Sequence, residues 1–247
     1  MFLPVDFTKY WACDIEGNPI PSTRIWVVCC YNLATHEKVT LHKLEEIREW
    51  FETKRQEGCK FVFHNGLQYD GPTLNRIAGT KLSNSNLIDT MLMSMVYSPS
   101  LDGGHGLEMW GRRLNHPKGD WTNFDEYHPD MDKYCMNDAI LCGKVFRNLV
   151  MRMRKIGFSE RGLDLEHRAW SLIHKQHNNG FAFNIQEAHV LYSFLREKEK
   201  DLERNIHRYW PPKLEKVASF ARAFKKDGSP SANYTRHREQ YVKNALS

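Results

Sequence analysis

Five residues of this chain combine types and spacing suited to chemistry. Asp14 and Glu16 stand two apart in WACDIEG, the end of an otherwise apolar segment. Side chains alternate along a strand, so Tyr10, Ala12, Asp14 and Glu16 share one face while Trp11, Cys13 and Ile15 share the other. Two carboxylates side by side repel, an arrangement that is costly unless solvent, a base or a cation compensates it. A third acid, Asp138, lies on a stripe with Tyr134, Leu141, Val145 and Leu149, the apolar face of a long helix. It either hydrogen-bonds a nearby backbone group or arginine, or shares a cation with Asp14 and Glu16. Tyr134, one turn before it, directs its hydroxyl into the same space. A fourth acid, Asp70 in FHNGLQYDGP, follows a strand and precedes a helix, where capping and catalysis are both open. Together the four acids form an oxygen-rich set suited to Mg²⁺ or Mn²⁺, and two such ions about 4 Å apart can clamp the attacking and leaving oxygens of a phosphodiester.

The elements needed to position these residues follow from periodicity. Strands are expected at Lys9 to Glu16, Arg24 to Asn32 and Lys38 to His42, then a helix from Lys43 to Gln56. A short strand, Lys60 to His64, leads to a helix opened by Pro72. A further strand and helix occupy NLIDTMLMSMVY, and a Gly-rich loop around a short helix occupies SPSLDGGHGLEMWGRRLNHPKGDW. A long helix runs from about Asp130 to Ile156, and Gly157 marks a boundary. Two more helices, about Leu163 to His177 and Gln186 to Tyr209, precede a tail from about residue 211 that mixes Pro, Gly, Ser and charge, a loosely held composition.

Composition excludes several classes. With 247 residues and 41% hydrophobic content, the chain suffices for one large domain or one domain and an appendage. No apolar run approaches the roughly 20 residues that span a bilayer, and no secretory leader is visible. The expectation is a soluble cytoplasmic protein. The six cysteines show no C-x-x-C spacing, which suits reduced core thiols. His167, His174 and His177 lack a completing Cys or carboxylate and read as surface histidines rather than zinc ligands. GGHG lacks the spacing of a dinucleotide site. Residues 1–150 carry 16 Lys+Arg against 19 Asp+Glu and residues 151–247 carry 19 against 11, so −3 and +8 make up the net +5. The basic half suits a polyanion, or is a solvated helix surface.

The strings D-I-E (Asp14 to Glu16), N-G-x-x-Y-D (Asn65 to Asp70) and Y-x-x-x-D (Tyr134 to Asp138) occur in the order of the three exonuclease motifs of the DEDD superfamily, which the chain therefore resembles. Tyr lies four before the last acid and Lys133 five before it, which is similar to the tyrosine branch. LIDTMLMSMVY, HGLEMWGRRLNHPKGDW and DLEHRAWSLIHKQHNNGFAFN resemble the proofreading region of family A DNA polymerases of short-tailed phages, over about residues 8–210. Polymerase strings such as D-x-S-Q-I-E or H-D-E do not occur, so the chain is expected to be a fragment, a truncated copy or a separately encoded proofreading subunit.

The resemblance implies an α/β, ribonuclease H-like fold: a mixed five-stranded sheet flanked by helices over residues 1–157, with a C-terminal helical extension over 158–247. It implies that Asp14, Glu16 and Asp138 hold one divalent metal, that Asp14 reaches a second supported by Asp70, and that Tyr134 orients the attacking water. Two ions, Mg²⁺ or Mn²⁺, are the implied cofactors. Asn65 and His64 are candidate contacts for the terminal nucleotide, or a polar strand end bonded to local backbone. Arg112, Arg113 and Lys118 are candidate phosphate contacts, or an exposed helix face. The implied activity is 3′-to-5′ hydrolysis of single-stranded or frayed DNA ends to nucleoside 5′-monophosphates, proofreading for a phage-type polymerase that could be a separately encoded partner. An RNA-trimming DEDD exonuclease is the near alternative. A non-catalytic module that binds DNA or a polymerase subunit through its basic half is the distant one.

Overall fold

The alternating segment forms strand β1, Tyr10–Gly17, covered on both faces. Tyr10 and Ala12 enter an apolar cluster with Leu141, Val145 and Phe146, whereas Trp11, Cys13 and Ile15 enter another with Ile47, Phe51 and Leu74. A strand buried on both sides belongs at the centre of a sheet. In this computed structural model, which describes residues 2–211 together with 225 and 229, the other strands are β2 Ile25–Asn32, β3 Lys38–Leu41, β4 Lys60–Phe63 and β5 Leu87–Asp89. Their order is β3-β2-β1-β4-β5. β1 pairs antiparallel with β2, and β2 with β3; β1 pairs parallel with β4, and β4 with β5.

Seven helices accompany the sheet among the described residues: α1 Leu44–Gln56, α2 Asp70–Ile77, α3 Thr90–Tyr97, α4 Leu107–Arg113, α5 Asp130–Lys155, α6 Glu160–Asn179 and α7 Ile185–Tyr209. α5 lays Leu141, Val145, Phe146 and Leu149 on one face of the sheet, and α1 and α2 lay Ile47, Phe51 and Leu74 on the other. Asp130 and Asp132 at the start of α5 and Arg152, Arg154 and Lys155 at its end complement the helix dipole. The mixed sheet flanked by helices is the ribonuclease H-like arrangement. All six cysteines are buried and free.

Three expectations change. α2 begins at Asp70, two residues before Pro72, because Pro is tolerated throughout the first turn, whose N–H groups have no intrahelical acceptor. Gly157, at φ 65°, ends α5 without ending the domain. The chain divides instead into Met1–Gly180 and Phe181–Ser247. α6 stays with the first unit because Leu163 joins the cluster of Met153 and Phe2, and Ser159 caps the helix by accepting from the Gly162 N–H. Third, His167 is fully buried rather than on the surface. The second unit contains α7, whose cap Asn184 accepts from the Glu187 N–H. The tail expected from about residue 211 lies outside the described residues apart from Pro211, 225 and 229. No helix among the described residues is long and apolar enough to cross a membrane.

Candidate active site

The C-terminal half of β1 carries Asp14 and Glu16, α5 carries Tyr134 and Asp138, and the first residue of α2 is Asp70. All face a common space at the C-terminal end of the central strand. Asp14 is partly exposed, whereas Glu16, Asp70 and Asp138 are only 8%, 4% and 2% exposed. The carboxylates of Asp14 and Glu16 and the thiol of Cys135 lie within 4.8 Å of one another, and Cys135 Sγ donates to the Asp14 carbonyl at 3.3 Å.

Burial and mutual repulsion disfavour ionisation throughout the cluster. Asp14 is pushed up to about 7 by burial and then by Asp138. Glu16 is pushed up to about 10 by burial and then by Asp14. Asp70 is well above the carboxylate range through burial and Asp14, and burial also raises Asp138. The one ion pair these acids make among the described residues joins Lys118 Nζ to Asp138 Oδ2 at 3.0 Å. Burial alone would lower Lys118, but Asp138 and Tyr134 outweigh it and raise its pKa. Asp138 Oδ1 is buried without a hydrogen-bond partner.

An oxygen-rich pocket whose carboxyls resist ionisation until a cation compensates them, with an orphaned carboxylate oxygen on Asp138, fits hard divalent cations. Asp14, Glu16, Asp70 and Asp138 are the residues that would hold them. The Tyr134 hydroxyl is pushed up to about 12, chiefly by burial, and so stays protonated beside Asp138 and Lys118.

One edge of the site is the loop after β4, organised by a residue that sequence reasoning missed. The buried carboxylate of Asp89 accepts the N–H groups of Asn65 and Leu67, and caps α3 by accepting those of Met91 and Leu92. Asn65 adopts φ 67°, and a Cβ on Gly66 would lie 2.3 Å from Phe63 Cβ, so only glycine fits there. The Asp89 N–H in turn donates to His167 Nε2 at 3.0 Å, while His167 Nδ1 donates to the Leu163 carbonyl. Burial lowers His167 to about 4 and keeps it neutral, as this pattern requires. The signal was present: Leu163, His167, Trp170 and His174 fall on one helical stripe, and Asp before TMLMSM is a cap pattern.

Thr90 Oγ1 donates to the Phe63 carbonyl and accepts from His64 Nδ1, so His64 Nε2 is left as a bare acceptor; burial lowers its pKa to about 4. Asn65 Oδ1 is also buried and unpartnered. Both side chains retain capacity for a ligand. The arginines are engaged elsewhere. Arg112 pairs with Glu108 on an exposed face, and Arg113 donates to the carbonyls of Asp102 and Gly104 while stacking on Trp110.

The chain is 26% identical over 256 residues to the DNA-directed DNA polymerase of Escherichia phage T7, covering 78% of this chain and 36% of that one. It is 27% identical over 214 residues to the DNA-directed DNA polymerase of Enterobacteria phage T3, covering 63% and 30%. The chain is a homologue of part of these polymerases. It spans about a third of their length. No protein-family model matches. Among solved structures, NrnC of Brucella melitensis with bound Mg²⁺ superposes with a TM-score of 0.54 at 16% identity, over 72% of this chain and 89% of that one. A nuclease in its apo form matches equally, with a TM-score of 0.54 at 14% identity over the same shares. These likenesses establish the ribonuclease H-like fold.

Proposed function

We propose that the protein is a metal-dependent 3′-to-5′ exonuclease acting on single-stranded or frayed DNA ends, proofreading for a T7-type polymerase. The observation that carries this reading is the convergence of acids from three distant motifs on the end of β1, where a single lysine is their ion-pair partner among the described residues and the carboxyls await a further cation to ionise. Homology to phage polymerases and the Mg²⁺ bound in the NrnC structure support it.

When bound there, two divalent ions would supply an activated water and neutralise the departing 3′ oxygen. Asp14, Glu16 and Asp138 would hold one, and Asp14 with Asp70 the other. Tyr134, held protonated, would orient the attacking water in line with the terminal phosphate. Asn65 Oδ1 and His64 Nε2 would accept hydrogen bonds from the terminal nucleotide. The products would be nucleoside 5′-monophosphates.

With 5′-labelled single-stranded DNA and Mg²⁺, the protein should produce a ladder that shortens from the 3′ end, and Asp14→Ala should abolish it. Cleavage that persists in excess EDTA would overturn the reading. RNA trimming is the second reading, favoured by the likeness to NrnC, which was also solved bound to pGG. A labelled RNA of the same sequence, cleaved with the higher kcat/KM, would decide for it.

A further inference from the structure

Lys118 is delivered to the acid cluster by a loop built for the purpose. The loop between α4 and α5 is pinned to both helices just before the lysine: the His116 N–H donates to the Gly111 carbonyl of α4 at 2.9 Å, and Asn137 Nδ2 of α5 donates to the Pro117 carbonyl at 3.2 Å. Lys144 Nζ bonds His116 Nδ1 at 2.7 Å. Just beyond the lysine, a Cβ on Gly119 would sit 3.0 Å from the Tyr134 ring, so the chain passes directly against that ring. Trp121 and Phe124 flank Tyr134 with ring centroids 6.4 Å away. The ammonium then lies 5.4 Å from the Tyr134 ring centroid and 3.0 Å from Asp138 Oδ2. A solvated surface lysine requires none of this framework.

We propose that Lys118 is a built-in counter-ion of the acid cluster, holding Asp138 and Tyr134 in place when no divalent cation is bound and yielding Asp138 when one binds. The proposal rests on the reading that the four acids hold divalent cations. A buried carboxylate left without a partner destabilises the fold, and Lys118 supplies that partner on Oδ2 while Oδ1 stays bare. The same positive charge repels an incoming divalent ion and must release one of its ligands. Lys118 therefore stabilises the metal-free protein at the expense of metal affinity. The two effects have opposite signs, which separates this role from ordinary packing.

The test uses the full chain with Lys118→Met, Lys118→Arg and the double variant Lys118→Met/Asp138→Asn. Mn²⁺ binding is read from the electron paramagnetic resonance signal of the free ion, and Tm is measured in EDTA. Lys118→Met should tighten Mn²⁺ binding about tenfold or more, the scale of one unit charge removed a few ångströms from a divalent ion. Its Tm in EDTA should fall by about 5 °C or more. Lys118→Arg, which keeps the charge, should match the wild type on both. Neutralising Asp138 in the double variant should restore Tm in EDTA relative to Lys118→Met; this rescue is the readout if the single variant does not fold without metal. Unchanged affinity and Tm, or losses of both together, or no rescue by Asp138→Asn, would overturn the role of Lys118. If the wild type binds no Mn²⁺, the metal reading itself is overturned.

Discussion

Adding Mg²⁺ to the protein should raise its Tm by an amount that grows with pH. Asp14 rises from an ordinary 3.8 to about 7 in the folded, metal-free protein. At about 1.4 kcal/mol per pH unit this corresponds to about 4 kcal/mol. Partial exposure screens Asp14, which leaves about 2 kcal/mol. A carboxyl with a raised folded pKa contributes stability that is present below about pH 4 and is lost as pH rises toward 7. Bound Mg²⁺ replaces the proton and removes that loss. The buried His64 and His167, both lowered to about 4, act in the opposite direction: they stay neutral in the fold, so their contribution grows between about pH 4 and 6.5. Their effect cancels when Mg²⁺ and EDTA are compared at the same pH. The difference in Tm should therefore widen by about 4–8 °C between roughly pH 5 and 7.5, measured by calorimetry in matched buffers. Asp14→Asn should flatten it. A difference that is constant or narrows with pH would refute the proposed coupling between proton and metal at Asp14.

Tyr134→Phe should slow cleavage by roughly ten- to a thousandfold, about 1.4–4 kcal/mol, with Mn²⁺ affinity unchanged; lost metal binding would show that the ring, not the hydroxyl, carries the role. His167→Leu removes the acceptor of the Asp89 N–H and should cost about 1–3 kcal/mol in urea unfolding. Asp89→Asn would set an amide N–H against the Leu67 or Asn65 N–H, and should raise KM more than it lowers kcat, because it shifts the loop proposed to contact the terminal nucleotide and leaves the four acids in place. A protein ending at Gly157 should lose cooperative unfolding, since Leu163 and His167 go with it, whereas one ending at Gly180 should keep it on thermal circular dichroism. Residues 181–247 carry 13 Lys+Arg against 8 Asp+Glu, a net +5, so the protein ending at Gly180 should also bind DNA more weakly than the full chain, with a shallower salt slope.

The central strand was legible because period-two alternation is local: Tyr10, Ala12 and Asp14 had to share a face whatever covered it. The long helix was legible for the same reason, since Tyr134, Asp138 and Leu141 repeat with its turn. Three motifs in a known order tied the two elements to one kind of site. The helical stripe of Leu163, His167 and Trp170 marked the buried face, but what satisfies His167 there was not legible, because its partner, the Asp89 N–H, lies 78 residues away. Nor was Gly157 legible as a helix end inside a domain, since a left-handed glycine looks the same whether the next helix packs back or departs.

Sequence by itself thus determined which side chains share a face and which acids have the spacing to act together, because strand and helix periods are properties of neighbouring residues. Tertiary structure alone decided what compensates them. Lys118, 20 residues before Asp138, stands 3.0 Å from it, while Arg112 and Arg113 in the same segment turn to Glu108 and to backbone carbonyls. Which cation reaches a buried carboxylate depends on the path of a loop, and that path is set by packing against Tyr134 rather than by any local pattern.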